Sequence, residues 1–318
     1  MITSQDISLY ESYVQRHRLP VFFQPWYLDA VCRDGQWHVS MDIHEGEVRG
    51  VWPYFLKRKY GQHYITQPPL TSFLGPYCHR PEDMTKESTW ISHQKAVLTN
   101  LFDQLPAHLL MISQWTPDQT NWLPLYWKGC KQTTRYTYQI ELEQNIEKLW
   151  SSITDKQRNR IRNAEKAYKI SDTEELNDLW TLIETTYNRQ GQTIPYSRTL
   201  LSQFDTVLQK HQMRKIFLVK SNAMTVAGLY LIYDNFSAYM IITGRSDEDK
   251  DGGVALAIWE AIQFSKKQGL TIFDFEGSMM LKLEKFFRSF GGNMVPYHRV
   301  THTTGKFSEI IFRALNRI

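Results

Sequence analysis

Two carboxylates two residues apart are the part of this chain best suited to chemistry. In Thr271-Ile-Phe-Asp-Phe-Glu-Gly-Ser278 aromatic and acidic residues alternate. On a strand, Phe273 and Phe275 then share one face, and Asp274 and Glu276 share the other. An amine that attacks an acyl carbon must lose a proton. A carboxylate partly desolvated among aromatics can have its pKa raised toward the range where it takes that proton. Glu276, beside the glycine that ends the strand, is the candidate base, with Asp274 in support. The competing reading is that Asp274 accepts hydrogen bonds from backbone or arginine and Glu276 only organises the Gly277-Ser278 turn.

A second candidate lies upstream. Asp251-Gly252-Gly253 opens an apolar helix beginning Val254-Ala-Leu-Ala-Ile-Trp259. Backbone N–H groups at Gly252, Gly253 and Val254 could cradle an anion at that helix N-terminus. Alternatively, the glycines only end the charged turn Ser246-Asp-Glu-Asp-Lys-Asp251. Between Lys156 and Lys169, Arg158, Arg162, Lys166 and Lys169 repeat at helical spacing, which suits a row of phosphates or a solvated face. Tyr187, Gln190 and Tyr196 surround a loop between two helices and could wall an acceptor. Arg288 could meet an anion or pair with Glu284 one helical turn earlier.

These residues need a scaffold, and the sequence shows an approximate repeat. Trp37–His44 and Val48–Leu56 read as a hairpin, and so do Lys215–Lys220 and Val226–Tyr233. Each hairpin is followed by another strand (62–67; 236–243), a helix (93–104; 255–268) and an apolar strand (109–115; 271–275). Each half closes on an aromatic, glycine-containing segment leading to a last strand. Two copies of one unit, rather than a single large sheet, explain this order. The charged helical stretch 145–188 falls between them, which puts the domains at 1–145 and 146–318. The expected fold is α+β, each domain a mostly antiparallel sheet flanked by helices. The tail 305–318 reads as a short basic amphipathic helix.

Composition narrows the function. The 318 residues are 42% hydrophobic and 14% aromatic, enough for well-filled cores, and the formal charge of +4 permits anionic ligands without demanding nucleic acid. Cys32, Cys78 and Cys130 have neither disulfide-framework nor metal-ligand spacing. There is no HExxH, G-x-S-x-G or Walker loop, so zinc hydrolase, serine hydrolase and NTPase chemistry lack their minimum parts. No metal is expected. The first residues lack a basic, then apolar leader, and no stretch is long enough to span a membrane, so the chain reads as cytoplasmic.

The hairpin, the glycine-turn helix, the FDFEGS strand and the Phe286-Phe-Arg-Ser-Phe-Gly291 segment together resemble the GNAT acyltransferase superfamily. The nearer resemblance is to its FemAB-like branch, with two GNAT domains in tandem. Lys156-Gln-Arg-Asn-Arg-Ile-Arg-Asn-Ala-Glu-Lys166 is similar to that branch's basic helix ending in A-x-K, and Phe286–Gly291 to its F-K-x-x-F-G segment. Phe287 stands where that segment has lysine. Asp251-Gly252-Gly253 stands where the superfamily has its longer Q/R-x-x-G-x-G/A diphosphate loop.

The resemblance implies N-acyl transfer to an amine, with no tightly bound cofactor and acyl-CoA as donor co-substrate. Gly252, Gly253 and Val254 would contact that donor, and Arg158, Arg162, Tyr187, Gln190, Tyr196 and Arg288 would contact acceptor or anion. The acceptor would be a small molecule or a cell-wall-precursor amine, consistent with a role in the bacterial cell envelope, and no DNA is implied. One alternative is transfer of an amino acid from aminoacyl-tRNA to a peptidoglycan precursor. Another is a binding module that kept the fold and lost the chemistry.

Overall fold

The computed structural model describes residues 4–277 and 279–305. The tail helix expected beyond Gly305 therefore lies outside the described residues. The chain divides into two compact units. The first runs to Arg135 and resumes at Pro296, and the second is Tyr136–Val295. Among the described residues there are ten α-helices and twelve strands.

In the first unit, α1 (Ser4–Arg16) and α2 (Pro25–Val31) precede β1 (Gln36–His44), which pairs antiparallel with β2 (Glu47–Lys59). The turn between them places Glu45 and Gly46 at positive φ (51° and 84°), the twist a two-residue hairpin favours. β2 also pairs antiparallel with β3 (Gln62–Thr66) and with the short β4 (Tyr77–Cys78). α3 (Glu87–Asp103) then crosses to β5 (Leu110–Gln114), parallel to β3. Trp52, Val97, Leu101, Met111 and Trp115 fill the core between this helix and the strands. After α4 (Leu123–Trp127) the chain enters β6 (Lys131–Glu141), within which it passes into the second unit.

The second unit opens with α5 (Ile146–Ser152), α6 (Asp155–Ala167), the short β7 (Lys169–Ile170), α7 (Leu176–Arg189) and α8 (Arg198–Lys210). The Asn145 side chain caps α5 by accepting from the Lys148 N–H, and Ser197 does the same for α8. The order of the first unit then returns. β8 (Arg214–Ser221) and β9 (Met224–Tyr233) form a hairpin, and β10 (Ser237–Arg245) pairs antiparallel with β9. α9 (Gly253–Lys267) crosses to β11 (Ile272–Asp274), parallel to β10. α10 (Leu281–Arg288) and β12 (Asn293–Thr303) follow. The strand–helix–strand crossover to a parallel neighbour recurs in both units because each places one amphipathic helix over its sheet.

The repeat is present as expected, with mostly antiparallel pairing, but its closing strands are exchanged. β6 follows the first repeat in sequence, yet its Gln139–Glu141 part pairs antiparallel with β11. β12 follows the second repeat, yet its Arg299–Thr303 part pairs antiparallel with β5. The division consequently falls at 135/136, not at the expected 145, and the chain's last strand belongs with the first unit. Side-chain chemistry suits β6 to its place: Thr137 and Gln139 supply donors to a carboxylate on β11, as described below.

The core beneath β11 is aromatic. Phe273 and Phe275 are both fully buried, and Phe275 stacks against Phe287 and Phe290 at centroid distances of 5.3 and 5.6 Å. Truncating Phe275→Ala is expected to destabilise the protein by about 3–5 kcal/mol in urea unfolding. A loss under about 1 kcal/mol would show that this aromatic stack does not anchor the end of β11.

Candidate active site

β11 ends at Asp274, and the two residues after Phe275 turn the backbone left-handed: Glu276 has φ 64° and Gly277 φ 70°. The sequence expectation of two carboxylates on one strand face is corrected here. Asp274, the last residue of β11, is completely buried, whereas Glu276 lies past the end of the strand. Gly277 is required by its surroundings, since a Cβ there would lie 2.3 Å from the Tyr136 carbonyl oxygen. A glutamate at positive φ is uncommon and costly, which makes its position notable.

Asp274 is held by three donors. The Thr137 hydroxyl donates to one oxygen, Gln139 Nε2 donates to the other at 2.7 Å, and the Glu276 backbone N–H donates at 2.7 Å. Burial raises its pKa above its ordinary value, and these hydrogen bonds offset only part of that rise. The third bond matters most for the site, because it clamps the backbone at Glu276.

Glu276 has the opposite environment. Its Oε1 is enclosed and accepts no hydrogen bond, and its pKa is pushed well above the ordinary carboxylate range, first by burial and then by the nearby Asp274 charge. Tyr239 is buried, and its pKa is raised first by that burial, then by Asp234 and less by Asp274 and Glu276. β10 pairs with β11 only over Ser237–Tyr239 but continues to Arg245, with a bulge between Met240 and Ile242. Glu276 therefore sits just past the last pairing of these parallel strands.

The expected anion cradle at Gly252, Gly253 and Val254 is corrected by the structure. Asp249 Oδ1 accepts from the N–H groups of Gly252 at 3.0 Å and Gly253 at 2.6 Å, and its Oδ2 takes a longer contact from Val254 at 3.5 Å. The donors at the head of α9 are thus occupied by a buried carboxylate of the chain itself, favourably placed at a helix N-terminus. A CoA diphosphate does not fit that cradle while Asp249 holds it. The preceding turn is pinned as well, because the Tyr168 hydroxyl accepts from the backbone of Lys250 and Asp251 at 3.2 Å each.

The basic stripe also resolves differently. Arg158 donates to the carbonyls of Ser151 and Ile153 at 2.8 Å each and pairs with Asp155, so it caps the end of α5 and is not free for a ligand. Arg162 lies 5.5 Å over the Trp150 ring and donates to Asn159 at 3.2 Å, with its side chain exposed. Lys169 lies past the end of α6, in β7. Arg160 was missed: its exposed side chain lies against Gly252, at the head of α9. Lys156 and Arg160, four residues apart, carried that signal in sequence.

Tyr196 is 6.4 Å from the Trp180 ring, and its pKa is raised by burial and then by Tyr187. Gln190 is exposed at the C-cap of α7, whose neighbour Arg189 pairs with Asp247 at 3.0 Å. Arg288 is committed to Glu284 at 2.8 Å, and Glu284 also accepts from the Tyr138 hydroxyl at 2.6 Å. The ion-pair reading of Arg288 is the one realised. Phe287, in the position of the resembling branch's lysine, is buried against Phe275.

A repeated hairpin, third strand and helix crossing to a parallel strand, with an acid where that strand ends in the second unit, make up a tandem repeat of one α/β unit. The comparisons agree. Residues 154–283 match the family model of an acetyltransferase (GNAT) domain. Among solved structures, FemX has a TM-score of 0.67 at 13% identity, covering 99% of this chain and 98% of that one. L-PGS from Bacillus licheniformis gives 0.57 at 13% identity, covering 98% and 97%. A tandem GNAT protein from the clavulanic acid biosynthesis pathway gives 0.54 at 10%, covering 95% and 94%. No curated protein matches the chain by sequence. The match to the GNAT domain model is confined to residues 154–283, and over its whole length the chain shares its fold with FemX and the tandem GNAT protein.

Among the described residues no group of His, Cys, Asp or Glu is arranged to hold a metal ion, and no helix is long and apolar enough to cross a membrane.

The raised pKa of Glu276 sets a stability test. The folded state binds this proton more tightly than the unfolded chain, so burial costs nothing below the unfolded pKa and its full cost appears once pH exceeds the folded value. Glu276→Gln is therefore expected to raise thermal stability at neutral pH, with the gain shrinking to nothing as pH falls through the ordinary carboxylate range. A variant less stable than wild type at every pH would contradict the assigned environment. Gly277→Ala, in contrast, is expected to lose more than about 2 kcal/mol in the same assay.

Proposed function

We propose that this protein transfers an acyl group from a carrier to an amine, with Glu276 as the base that takes the amine's proton. The observation carrying this reading is the Glu276 carboxyl: left-handed backbone, an enclosed Oε1 without a partner, and a pKa displaced upward. The amine nitrogen forms a bond to the acyl carbon, the bond from that carbon to the carrier breaks, and the proton released by nitrogen goes to Glu276. The leaving group then takes up a proton. Asp274 acts as a positioning residue through the Glu276 N–H, and Tyr187, Gln190 and Tyr196, on and just after the end of α7, are suited to walling the acceptor, a small molecule or a cell-wall-precursor amine.

The donor follows a second observation. Asp249 occupies the N–H groups at the head of α9, which favours aminoacyl-tRNA over acyl-CoA held by a diphosphate cradle. The exposed Lys156, Arg160 and Arg162 on α6 are available to a phosphate backbone. GNAT-fold acyl transfer is common to both donors, and the cytoplasm is where either would be met.

A donor panel separates them. Aminoacyl-tRNA is expected to raise thermal stability and to lose that effect steeply with salt, with Lys156→Ala and Arg160→Ala weakening it; stabilisation by acyl-CoA alone would return the donor to CoA. With the active donor, Glu276→Gln is expected to lower kcat about 10²–10⁴-fold and to remove the acid limb of the pH–rate profile. Unchanged turnover in that variant would mean Glu276 is not the base, and silence toward every donor would favour a binding module.

A further inference from the structure

A few residues after Glu276 the chain leaves large apolar side chains in solvent. Met279 is 57% exposed, Met280 53% and Leu281 68%, with Leu283 at 38%. The inner face of α10 is already satisfied, because Phe286, Phe287 and Phe290 pack on one another and, through Phe287 and Phe290, on Phe275. The Met279–Leu281 lip is therefore surplus to the core. Exposed lysines Lys282 and Lys285 flank it. The opposite end of α10, a helix of eight residues, adjoins α6, since the Thr154 N–H donates to the Ser289 carbonyl at 3.0 Å, and α6 presents Lys156, Arg160 and Arg162 to solvent.

Three consecutive exposed apolar residues followed by two exposed lysines suit one surface chemistry. We propose that the Met279–Leu281 lip, with Lys282 and Lys285, docks on an anionic lipid bilayer surface, so that Glu276 meets an amine acceptor anchored in the membrane. The apolar side chains enter the boundary between headgroups and acyl chains, and the lysines meet the negative surface. A protein partner or a second copy would match the apolar residues but gives no reason for the cations around them. The acceptor part of this inference rests on the acyl-transfer reading; the docking does not.

The test is flotation of the full chain with phosphatidylcholine vesicles, with and without about one-third phosphatidylglycerol, at low and high salt. The chain is expected to float with the anionic vesicles only, and less so at high salt. The M279S/M280S/L281S variant and, separately, the K282E/K285E variant should each lower partitioning about tenfold or more, given about fivefold for each lysine near such a surface. These side chains are exposed, so both variants should keep the wild-type unfolding temperature. Glu276→Gln should float like wild type, which separates failure of the docking from failure of the catalytic reading. Binding that ignores the lipid charge, survives both variants or is absent would overturn the proposal. So would a concentration-dependent dimer that the triple-serine variant abolishes.

Discussion

The hydrogen-bond set around buried Asp274 is the constraint on which the site depends. A carboxyl group with no solvent exposure is tolerated only when its oxygens have hydrogen-bond partners, and here the strand β6 supplies two through Thr137 and Gln139. The third donor is the Glu276 N–H. One buried acid thus joins β6 to β11 and fixes the residue that follows the strand in a conformation it would not adopt alone. Two acids two residues apart acquire different environments because both oxygens of Asp274 accept hydrogen bonds, whereas Oε1 of Glu276 is enclosed without a donor.

The same economy of donors governs the head of α9. A helix N-terminus next to two glycines can receive a ligand anion only if its N–H groups are free, and Asp249 removes that freedom. Arg158 behaves alike at the end of α5, where carbonyl oxygens consume its guanidinium. What is left for solvent is a face of α6 bearing Lys156, Arg160 and Arg162 beside that helix head.

The local elements were legible in sequence, and the reasons are physical. Both hairpins carry strand-forming runs around short turns, and the repeated hairpin–strand–helix–strand order reflects hydrophobic periodicity that any reader of the chain can count. The aromatic neighbours of Asp274 and Glu276 signalled desolvation correctly. Long-range choices were not legible. Nothing in Lys131–Glu141 says that this strand pairs with β11 and not with its own repeat, and no local pattern reveals that Thr137 and Gln139 serve an acid over 130 residues away. Asp249 read as part of a solvated acidic turn because its capping role depends on how that turn folds back. Arg288 offered an ion pair or an anion site on equal sequence terms, and the Tyr138–Glu284 contact decided for the pair.

The central claim is that Glu276 is a carboxyl whose proton affinity the fold has raised. A ¹³C NMR titration of the glutamate side-chain carboxyls, with the Glu276 resonance assigned by its disappearance in Glu276→Gln, reads this directly. The account requires that resonance to titrate well above the ordinary carboxylate range, as burial and the Asp274 charge dictate. If the missing resonance titrates with the exposed glutamates, the carboxyl is solvated and the base assigned here is wrong.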